Sequence, residues 1–327
     1  MPQNAFDNTV EASIRWQQQE QNRRKLNEAA RLLRAGGLVA FPTETVYGLG
    51  ALARLPEAVA RIYAVKGRPA DHPLIVHIAG IDAMPDWAAE IPVSAKRLAQ
   101  AFWPGPLTLI LRKRKGVPDL VTGGQDSVGL RVPGHPVALA LLRAVSDGVA
   151  APSANRYGRI SPTCADHVRE ELGEDFGIVL DGGRCDVGLE STIVSCLDET
   201  PRVLRPGGIG LAELTAVLGA PPALEGAGAV VRVPGSVHSH YAPRTPLQLV
   251  GTDELGPALR RTPGLLIGVL GRATASGEQA GSSRWIAMPD DPADCSRMLY
   301  AALRSLDAAG LDLILVERPP EDESWRA

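Results

Sequence analysis

Short apolar runs alternate with amphipathic segments along most of the chain, which is the pattern of a sheet with helices packed against it. Residues 38–41 form an uninterrupted apolar run that is typical of a buried strand. Before it, Leu26, Ala30 and Leu33 recur at helical spacing and predict a helix that begins near residue 22. The same criteria predict further strands at 74–78, 107–111, 127–132, 149–151, 178–180, 191–196 and 202–204. Further helices are predicted from Pro56 onward and at 93–102, 137–145, 163–172 and 211–218.

The pattern changes after residue 218. The next segment is rich in Gly, Pro and Ala and shows little periodicity, which indicates an interdomain linker. A second α/β pattern then follows, with strands predicted at 247–250, 265–270 and 313–316 and a helix at 294–309. The predicted divisions are an N-terminal arm (1–21), a first domain (22–218), the linker (219–243) and a C-terminal α/β domain (244–327) that ends in a frayed tail (319–327).

The order of the elements also bears on the fold class. The first domain mixes isolated strands, neighbouring strands and helices without strict alternation, which favours an α/β sheet of mixed direction. The C-terminal domain is predicted to be a smaller three-layer α/β unit.

Composition narrows the class of protein. The 327 residues carry a net charge of −3, which argues against the simplest nucleic-acid-binding protein because such proteins are usually strongly basic. No apolar run approaches the ~18 residues needed to cross a bilayer, and the first twenty residues lack the apolar core of a secretory signal. The four cysteines show no metal-ligand spacing. We therefore expect a cytoplasmic enzyme or binding protein with reduced thiols and no membrane association.

Candidate chemistry lies in loops that follow strands. Thr43, Glu44, Thr45 and Tyr47 are held between a proline and two glycines, so their hydroxyl groups either cap a turn or bind a small polar ligand. Ser153, Asn155 and Ser161 follow a later strand, where they either cap the next helix or converge on one ligand group.

Several basic residues occur beside such loops. Lys66 and Arg68 flank a glycine, so they either decorate a helix C-terminus or hold an anion such as a polyphosphate. Arg131 lies in an apolar strand, where its partner is either a protein carboxylate or the carboxylate of a ligand. Arg205 is either a surface charge or a phosphate ligand, and His77 is either a core histidine or a ligand-binding one.

Common nucleotide-binding and hydrolase motifs are absent from the sequence. It contains no G-x-x-x-x-G-K-[ST], no G-x-G-x-x-G that opens a βαβ unit, no H-E-x-x-H and no G-x-S-x-G. Separated basic groups and hydroxyl loops instead fit chemistry on a phosphate that proceeds by positioning and charge stabilisation.

Taken in order, these motifs resemble the YrdC-like family, and within it the two-domain threonylcarbamoyl-AMP synthases. The residues that carry the resemblance are Pro42-Thr43-Glu44-Thr45-Val46-Tyr47-Gly48-Leu49, Lys66-Gly67-Arg68-Pro69, Leu74–His77, Trp103-Pro104-Gly105-Pro106-Leu107-Thr108, Arg131-Val132-Pro133, Pro152-Ser153-Ala154-Asn155, Ser161-Pro162-Thr163, Glu190-Ser191-Thr192-Ile193 and Arg205-Pro206-Gly207. The resemblance continues through His240-Tyr241-Ala242-Pro243 of the linker. It implies a twisted mixed sheet with a concave cavity, followed by a smaller Rossmann-like domain.

The resemblance also implies a reaction, in which L-threonine, bicarbonate and ATP give threonylcarbamoyl-AMP and pyrophosphate for the modification of adenosine 37 in tRNA. It implies Mg²⁺ held mainly through ATP and a downstream threonylcarbamoyl transferase as partner, with a weak association with tRNA. The residues implied to act on or bind ATP are Lys66, Arg68, His72, Ser127, Ser153, Asn155, Ser161, Arg205 and Tyr241, of which Lys66, Arg68, Ser153 and Asn155 are the catalytic set. The residues implied to bind threonine are Thr45, His77, Arg131, Ala151 and Ser191.

Three departures from the family pattern accompany this resemblance. His72 replaces the usual Asn, Tyr157 replaces a small residue, and residues 236–239 lack basic and aromatic side chains that some relatives carry. Two other hypotheses stay open: a related enzyme that adenylates another carbamate or transfers a carbamoyl group, and an RNA-binding module without catalysis.

Overall fold

A ten-stranded sheet forms the first domain of the computed structural model, which describes residues 20–173, 176–224, 231–234, 241–272 and 283–325. Its strands are β1 (Leu38–Phe41), β2 (Gly48–Leu52), β3 (Ile75–His77), β4 (Leu107–Arg112), β5 (Ser127–Arg131), β6 (Val149–Ala150), β7 (Gly177–Val179), β8 (Thr192–Ser195), β9 (Arg202–Arg205) and β10 (Ala223–Leu224). Their order is β10-β9-β8-β4-β5-β3-β6-β2-β1-β7, with parallel and antiparallel neighbours, so the predicted mixed sheet is confirmed.

Seven helices accompany this sheet among the described residues. They are α1 (20–34), α2 (Pro56–Lys66), α3 (Val93–Phe102), α4 (Asp119–Thr122), α5 (Pro136–Val145), α6 (Ala165–Leu172) and α7 (Leu211–Leu218). Pro56 and Pro136 occupy first-turn positions, where a missing N–H costs nothing because the helix leaves that donor unbonded.

The C-terminal domain contains a separate, fully parallel sheet of order β11-β14-β12-β13. Its elements are β11 (Leu247–Val250), α8 (Leu255–Arg260), β12 (Ile267–Gly271), β13 (Ser283–Ala287), α9 (Pro292–Asp307) and β14 (Leu313–Glu317). This arrangement confirms the smaller Rossmann-like α/β unit.

The two domains share a hydrophobic cluster. Val46 and Ile160 of the first domain belong to the same buried cluster as Tyr300, Leu303 and Leu306 of α9. The main core is made by the apolar faces of the large sheet and its helices, and Trp87 and Tyr47 are among its largest fully buried side chains. Helix α9 therefore packs against the loops that leave β1 and β6.

Most apolar runs form the elements predicted for them, but three strands of the structure were not predicted. The prediction treated Gly48–Leu52 as loop, and it contained neither Ser283–Ala287 nor Ala223–Leu224, which lies inside the predicted linker. The predicted frayed tail is wrong for Glu323–Trp325, which form a 3₁₀ turn whose Trp325 ring lies 6.0 Å from the Arg272 guanidinium carbon. The division of the chain into arm, domains and linker stays a prediction. Within it, residues 1–19 of the arm, His240 and the departures at 236–239 lie outside the described residues.

All four cysteines are free thiols. Within the described ranges, no helix combines the length and the hydropathy that crossing a bilayer requires.

Gly148 provides a test of the packing between β6 and its neighbours. A Cβ atom added there would lie 2.3 Å from Trp87 Cζ2 and 2.6 Å from Val76 Cγ1, both fully buried. We expect Gly148→Ala to lower the free energy of unfolding by about 1–3 kcal/mol, because the added methyl group overpacks the core. The measurement is urea denaturation, with Gly80→Ala as control because a Cβ there meets nothing within 4 Å. Equal stability of the two variants would contradict the packing described.

Candidate active site

Strand ends and loops of the large sheet meet at a small cavity of about 40 Å³ that polar side chains line. Its lining includes the β1–β2 loop, β3, the end of β5, the loop after β6 and the segment before β8. The lining residues are Thr43, Thr45, Val46, Gly48, Arg68, Ile75, His77, Arg131, Ala151, Pro152, Ser153, Glu190, Ser191, Arg205, Pro234 and Tyr241. Residues that are far apart in sequence are thereby brought into one site.

Arg131 and His77 sit side by side because β3 and β5 pair in parallel with these two residues in register. Arg131 donates to Glu44 Oε1 at 2.7 Å, and the second carboxylate oxygen of Glu44 accepts from the backbone N–H of Gly134 at 2.8 Å. The Arg131 and Glu44 side chains are almost fully buried, so each charge needs the other. The protein carboxylate that the sequence left open as a partner of Arg131 is therefore Glu44.

Two buried nitrogens at this end of the cavity have no hydrogen-bond partner. They are Arg131 Nε and His77 Nδ1, although buried polar atoms are normally paired. Burial, followed by the charge of Arg131, lowers the pKa of His77 to about 3, so its imidazole is neutral near pH 7. This end of the cavity thus offers a fixed positive charge and a neutral imidazole to a polar ligand.

The loop that carries Thr43 and Thr45 both forms a side-chain-stabilised turn and lines the cavity. Thr43 Oγ1 accepts from the backbone N–H groups of Thr45 and Val46 at 3.2 Å each, which is a side-chain-stabilised turn. The same oxygen lies 2.8 Å from Thr45 Oγ1, and both threonines line the cavity. The turn therefore holds Thr45 in place at the site.

Lys66 lies behind the cavity wall. Its Nζ donates to the backbone carbonyl of Ser153 at 2.6 Å and to that of Asn155. Burial, and next the charge of Arg68, lowers the pKa of Lys66 to about 7. Lys66 thus fixes the 153–155 loop while keeping a titratable amine near neutral pH.

Arg68 lies on the cavity wall itself. One terminal nitrogen donates to the Pro73 carbonyl at 3.0 Å, and its guanidinium carbon lies 5.8 Å from the Tyr157 ring. Its Nε is buried without a hydrogen-bond partner. Burial lowers the pKa of Arg68, which raises the benefit of an anionic partner.

The Asn155 amide organises the loop that follows it. Its Nδ2 donates to the carbonyls of Arg156 at 2.9 Å and Arg159 at 2.7 Å, while its Oδ1 is buried and unpartnered. Ser161 is fully buried at the end of this loop and donates to Glu190 Oε1 at 2.6 Å.

Arg205 joins the cavity to the described linker residues 231–234 and 241–243, called here the covering segment. Its guanidinium donates to the Ser191 carbonyl at 2.8 Å and to Ser191 Oγ at 3.1 Å. It also donates to the Pro234 carbonyl at 2.8 Å and to the Tyr241 hydroxyl at 3.4 Å. The Tyr241 ring stacks on Tyr300 of α9 at 5.7 Å between centroids, and burial raises its pKa.

Five residues of the predicted ATP set lie outside the cavity lining, namely Lys66, His72, Ser127, Asn155 and Ser161. Ser127 is at the opposite end of β5 from Arg131, about 13 Å away for four residues of strand. His72 sits beside Tyr157, with its Nδ1 3.3 Å from the phenolic oxygen, and burial lowers its pKa. The roles predicted for Ser127 and His72 stay predictions.

Glu44 and Glu190 are the site residues that the sequence analysis did not assign. A buried arginine in a strand signals the need for a carboxylate, but the sequence does not say which one. No group of three or more His, Cys, Asp or Glu residues that could hold a metal ion occurs among the described residues. Glu190 contributes a carboxylate group to the lining of the cavity.

A larger cavity of about 760 Å³ shares no lining residue with this site and lies between α9 and the segment from β9 to α7. Glycines and apolar side chains form most of its lining, and none of the predicted site residues belongs to it. The polar groups therefore converge on the smaller cavity.

Comparison with known proteins gives matches along nearly the whole chain. A family profile described as "Telomere recombination" for Sua5, YciO and YrdC proteins matches residues 31–207, and one described as "Threonylcarbamoyl-AMP synthase, C-terminal domain" matches residues 209–327. The threonylcarbamoyl-AMP synthase of Pyrococcus abyssi is 41% identical over 90% of this chain and 88% of its own length. That of Bacillus subtilis is 42% identical over 91% of this chain and 88% of its own length.

A solved structure is similar over both domains. The crystal structure of P. abyssi Sua5 complexed with L-threonine superposes with a TM-score of 0.85 at 39% identity. The match covers 92% of this chain and 91% of that one, so the order and packing of the two domains are shared.

The neutral imidazole of His77 has a measurable consequence for stability. The pKa of His77 is about 3 in the folded protein and ~6.5 in an unfolded chain. Between these values only the unfolded chain takes up the proton, so His77 favours unfolding increasingly as the pH falls below 6.5, and this effect is absent above that pH.

We therefore expect the free energy of unfolding to fall between pH 6.5 and 4.5, with His77 contributing about 2–3 kcal/mol of that fall. Urea denaturation at both pH values measures it, and His77→Asn should lose that much less stability over the interval. An identical pH dependence in the variant would show that folding does not lower the pKa of His77.

Proposed function

The chain belongs to the Sua5/YrdC family of threonylcarbamoyl-AMP synthases in its two-domain form, and from that membership we propose how its site works. The reaction proposed is the formation of threonylcarbamoyl-AMP and pyrophosphate from L-threonine, bicarbonate and ATP, which is a nucleotidyl transfer. One observation carries the assignment of the site. Three buried nitrogens without hydrogen-bond partners, Arg131 Nε, His77 Nδ1 and Arg68 Nε, belong to residues that line one cavity.

L-threonine would occupy the end of the cavity at β3 and β5. The carboxylate of the amino acid would pair with Arg131, whose orientation is fixed by Glu44. The hydroxyl groups of Thr45 and Ser191 would contact its polar groups, and Ala151 would pack against its methyl group. Ser191 Oγ is itself held at 2.8 Å from Thr108 Oγ1, so this hydroxyl is preorganised.

ATP would occupy the end at Arg68 and the 153–161 loop. Arg68 and Arg205 would contact phosphate oxygens, and Lys66 would add charge from behind while holding the loop carbonyls. Ser153, Asn155 and Ser161 would supply hydroxyl and amide contacts, with His72 and Ser127 as predicted outer contacts. Guanidinium groups suit phosphate because their donors form a planar fork.

The chemistry proposed has two steps. The neutral amine of threonine attacks the carbon of bicarbonate, and loss of water gives a carbamate. A carbamate oxygen then attacks the α-phosphorus of ATP, and the bond to the β-phosphate oxygen breaks so that pyrophosphate leaves. Negative charge spreads over the phosphate oxygens during this transfer, so Lys66, Arg68 and Arg205 would act by positioning and charge stabilisation.

Mg²⁺ would enter with ATP rather than in a protein cage. Because the described residues provide no cluster of metal ligands, phosphate oxygens would hold the ion, with Glu190 as the nearby protein carboxylate. When bound, Mg²⁺ would neutralise phosphate charge.

The covering segment would have to move for ATP to enter. The cavity of about 40 Å³ is far smaller than the ~300–1,000 Å³ of ordinary ligand sites. Opening would break the bonds from Arg205 to Pro234 and Tyr241, and closing would remake them over the bound nucleotide. A closed site would protect the carbamate and the mixed anhydride from water.

The product would pass to a threonylcarbamoyl transferase that modifies tRNA, with at most a weak association between this chain and tRNA itself. The cytoplasmic location expected from the sequence stays a prediction.

The proposal predicts that pyrophosphate release requires all three substrates together. We expect release with L-threonine, bicarbonate and ATP, and a loss of at least about tenfold when threonine is omitted or when Arg131 is changed to Met. A coupled pyrophosphate assay measures it, and mass spectrometry identifies threonylcarbamoyl-AMP. Release that is indifferent to threonine would reject the proposed reaction.

The lowered pKa of Lys66 predicts proton uptake on nucleotide binding. At pH 8 the Lys66 amine, with a pKa of about 7, is mostly neutral, and an adjacent polyphosphate raises that pKa by favouring the ammonium form. ATP binding should therefore take up about one proton at pH 8 and much less at pH 6. Calorimetry in two buffers of different ionisation enthalpy measures the uptake, which should disappear in Lys66→Met. Undiminished uptake in that variant would assign the proton to another group.

A further inference from the structure

One face of α9 in the C-terminal domain is directed at the active-site loops of the first domain. Tyr300, Arg304 and Asp307 follow each other at intervals of four and three residues, so they share that face. Tyr300 stacks on Tyr241 of the covering segment. The other two residues contact the loop that ends at Ser161.

Arg304 holds the end of this loop through its backbone. Its guanidinium donates to the carbonyl oxygen of Ile160 and, at 3.4 Å, to that of Ser161. It also lies 3.4 Å from a carboxylate oxygen of Glu171 on α6, and both side chains are about nine-tenths buried. Burial lowers the pKa of Arg304, while Glu171 opposes that change by favouring the charged form.

Asp307 holds the middle of the same loop. One carboxylate oxygen pairs with Arg159 at 3.2 Å, and the other accepts from the backbone N–H of Thr245 at 2.8 Å. The Arg159 carbonyl is the group that accepts from the Asn155 amide, so this contact reaches the predicted catalytic set. The loop is thus fixed from the C-terminal domain at two successive points.

We propose that the C-terminal domain holds a loop of the nucleotide site in place, and that Arg304 is a positioning residue for ATP. It acts by holding the carbonyls of residues 160 and 161, which sets the position of the Ser161 hydroxyl and of the 155–159 turn. The inference rests on the proposed function, because it assumes that this loop contacts ATP.

The contacts of Arg304 predict a selective effect. The threonine end of the cavity is built from β3, β5 and Glu44, and Arg304 makes none of its contacts there. Loosening the 155–161 loop should therefore weaken ATP binding and leave threonine binding unchanged. A residue that merely supported the overall fold would affect both ligands together.

The experiment compares three variants of the full chain by calorimetric titration with ATP and, separately, with L-threonine. Arg304→Met removes the donors and keeps most of the apolar stem, so the Kd for ATP should rise by about tenfold and that for threonine by less than twofold. Arg304→Lys keeps a charge opposite Glu171 and a donor, so it should recover part of the loss. Arg297→Ala removes another contact of α9 with the first domain, its bond to the Asp186 carbonyl, and should change neither Kd.

Hydrogen exchange of the free protein provides a second readout. Amides of residues 157–161 should exchange faster in Arg304→Met and not in Arg297→Ala. If Arg304→Met does not fold because Glu171 is left unpaired, the double variant Arg304→Met/Glu171→Gln removes that charge and carries the same expectation.

The outcomes separate this inference from the proposed function. If the parent protein does not bind ATP, the proposed function fails. If the parent binds ATP but Arg304→Met leaves its Kd unchanged, or raises the Kd values of ATP and threonine alike, Arg304 is not a positioning residue for the nucleotide.

Discussion

The placement of Arg131 inside an apolar strand is the constraint on which the rest of the site depends. A buried guanidinium must be neutralised by a nearby carboxylate, and Glu44 meets that need from the β1–β2 loop. Glu44 is in turn held by the Gly134 amide, and its own carbonyl accepts from Val187. One charge therefore ties together three segments that are distant in sequence, and the cavity forms where they meet.

Arg205 likewise connects distant segments, because it bonds both to the cavity lining and to the covering segment. Ser191, at the end of the cavity proposed for threonine, and Tyr241, in the covering segment, are bound by the same guanidinium. A ligand that competes for any of these bonds alters the energy of the others. In the proposed site, occupancy and closure would thus be coupled through a single side chain, without a long-range pathway.

The sequence predicts the elements well where apolar periodicity is strong. It predicts them less well where close contacts between neighbouring segments determine which residue fits. Strand β2 carries Gly48 and Gly50, and a Cβ at Gly50 would lie 2.7 Å from Val149 and 2.8 Å from Phe41. Glycine is required there by close packing, which local propensity counts against a strand. For the site, residue types and loops could be predicted. The adjacency of His77 and Arg131 could not, because it follows from strand register, and the choice of Glu44 as partner follows from the path of a loop.

The hydrophobic cluster common to both domains has a consequence for how the protein unfolds. Val46 and Ile160 are buried in one cluster with residues of α9, and Val46 belongs to the loop that holds Thr45. Moving the two domains apart would break this cluster and cost the first domain part of its burial energy. Unfolding of one domain therefore removes apolar contacts from the other, so the stability of each domain depends partly on its neighbour.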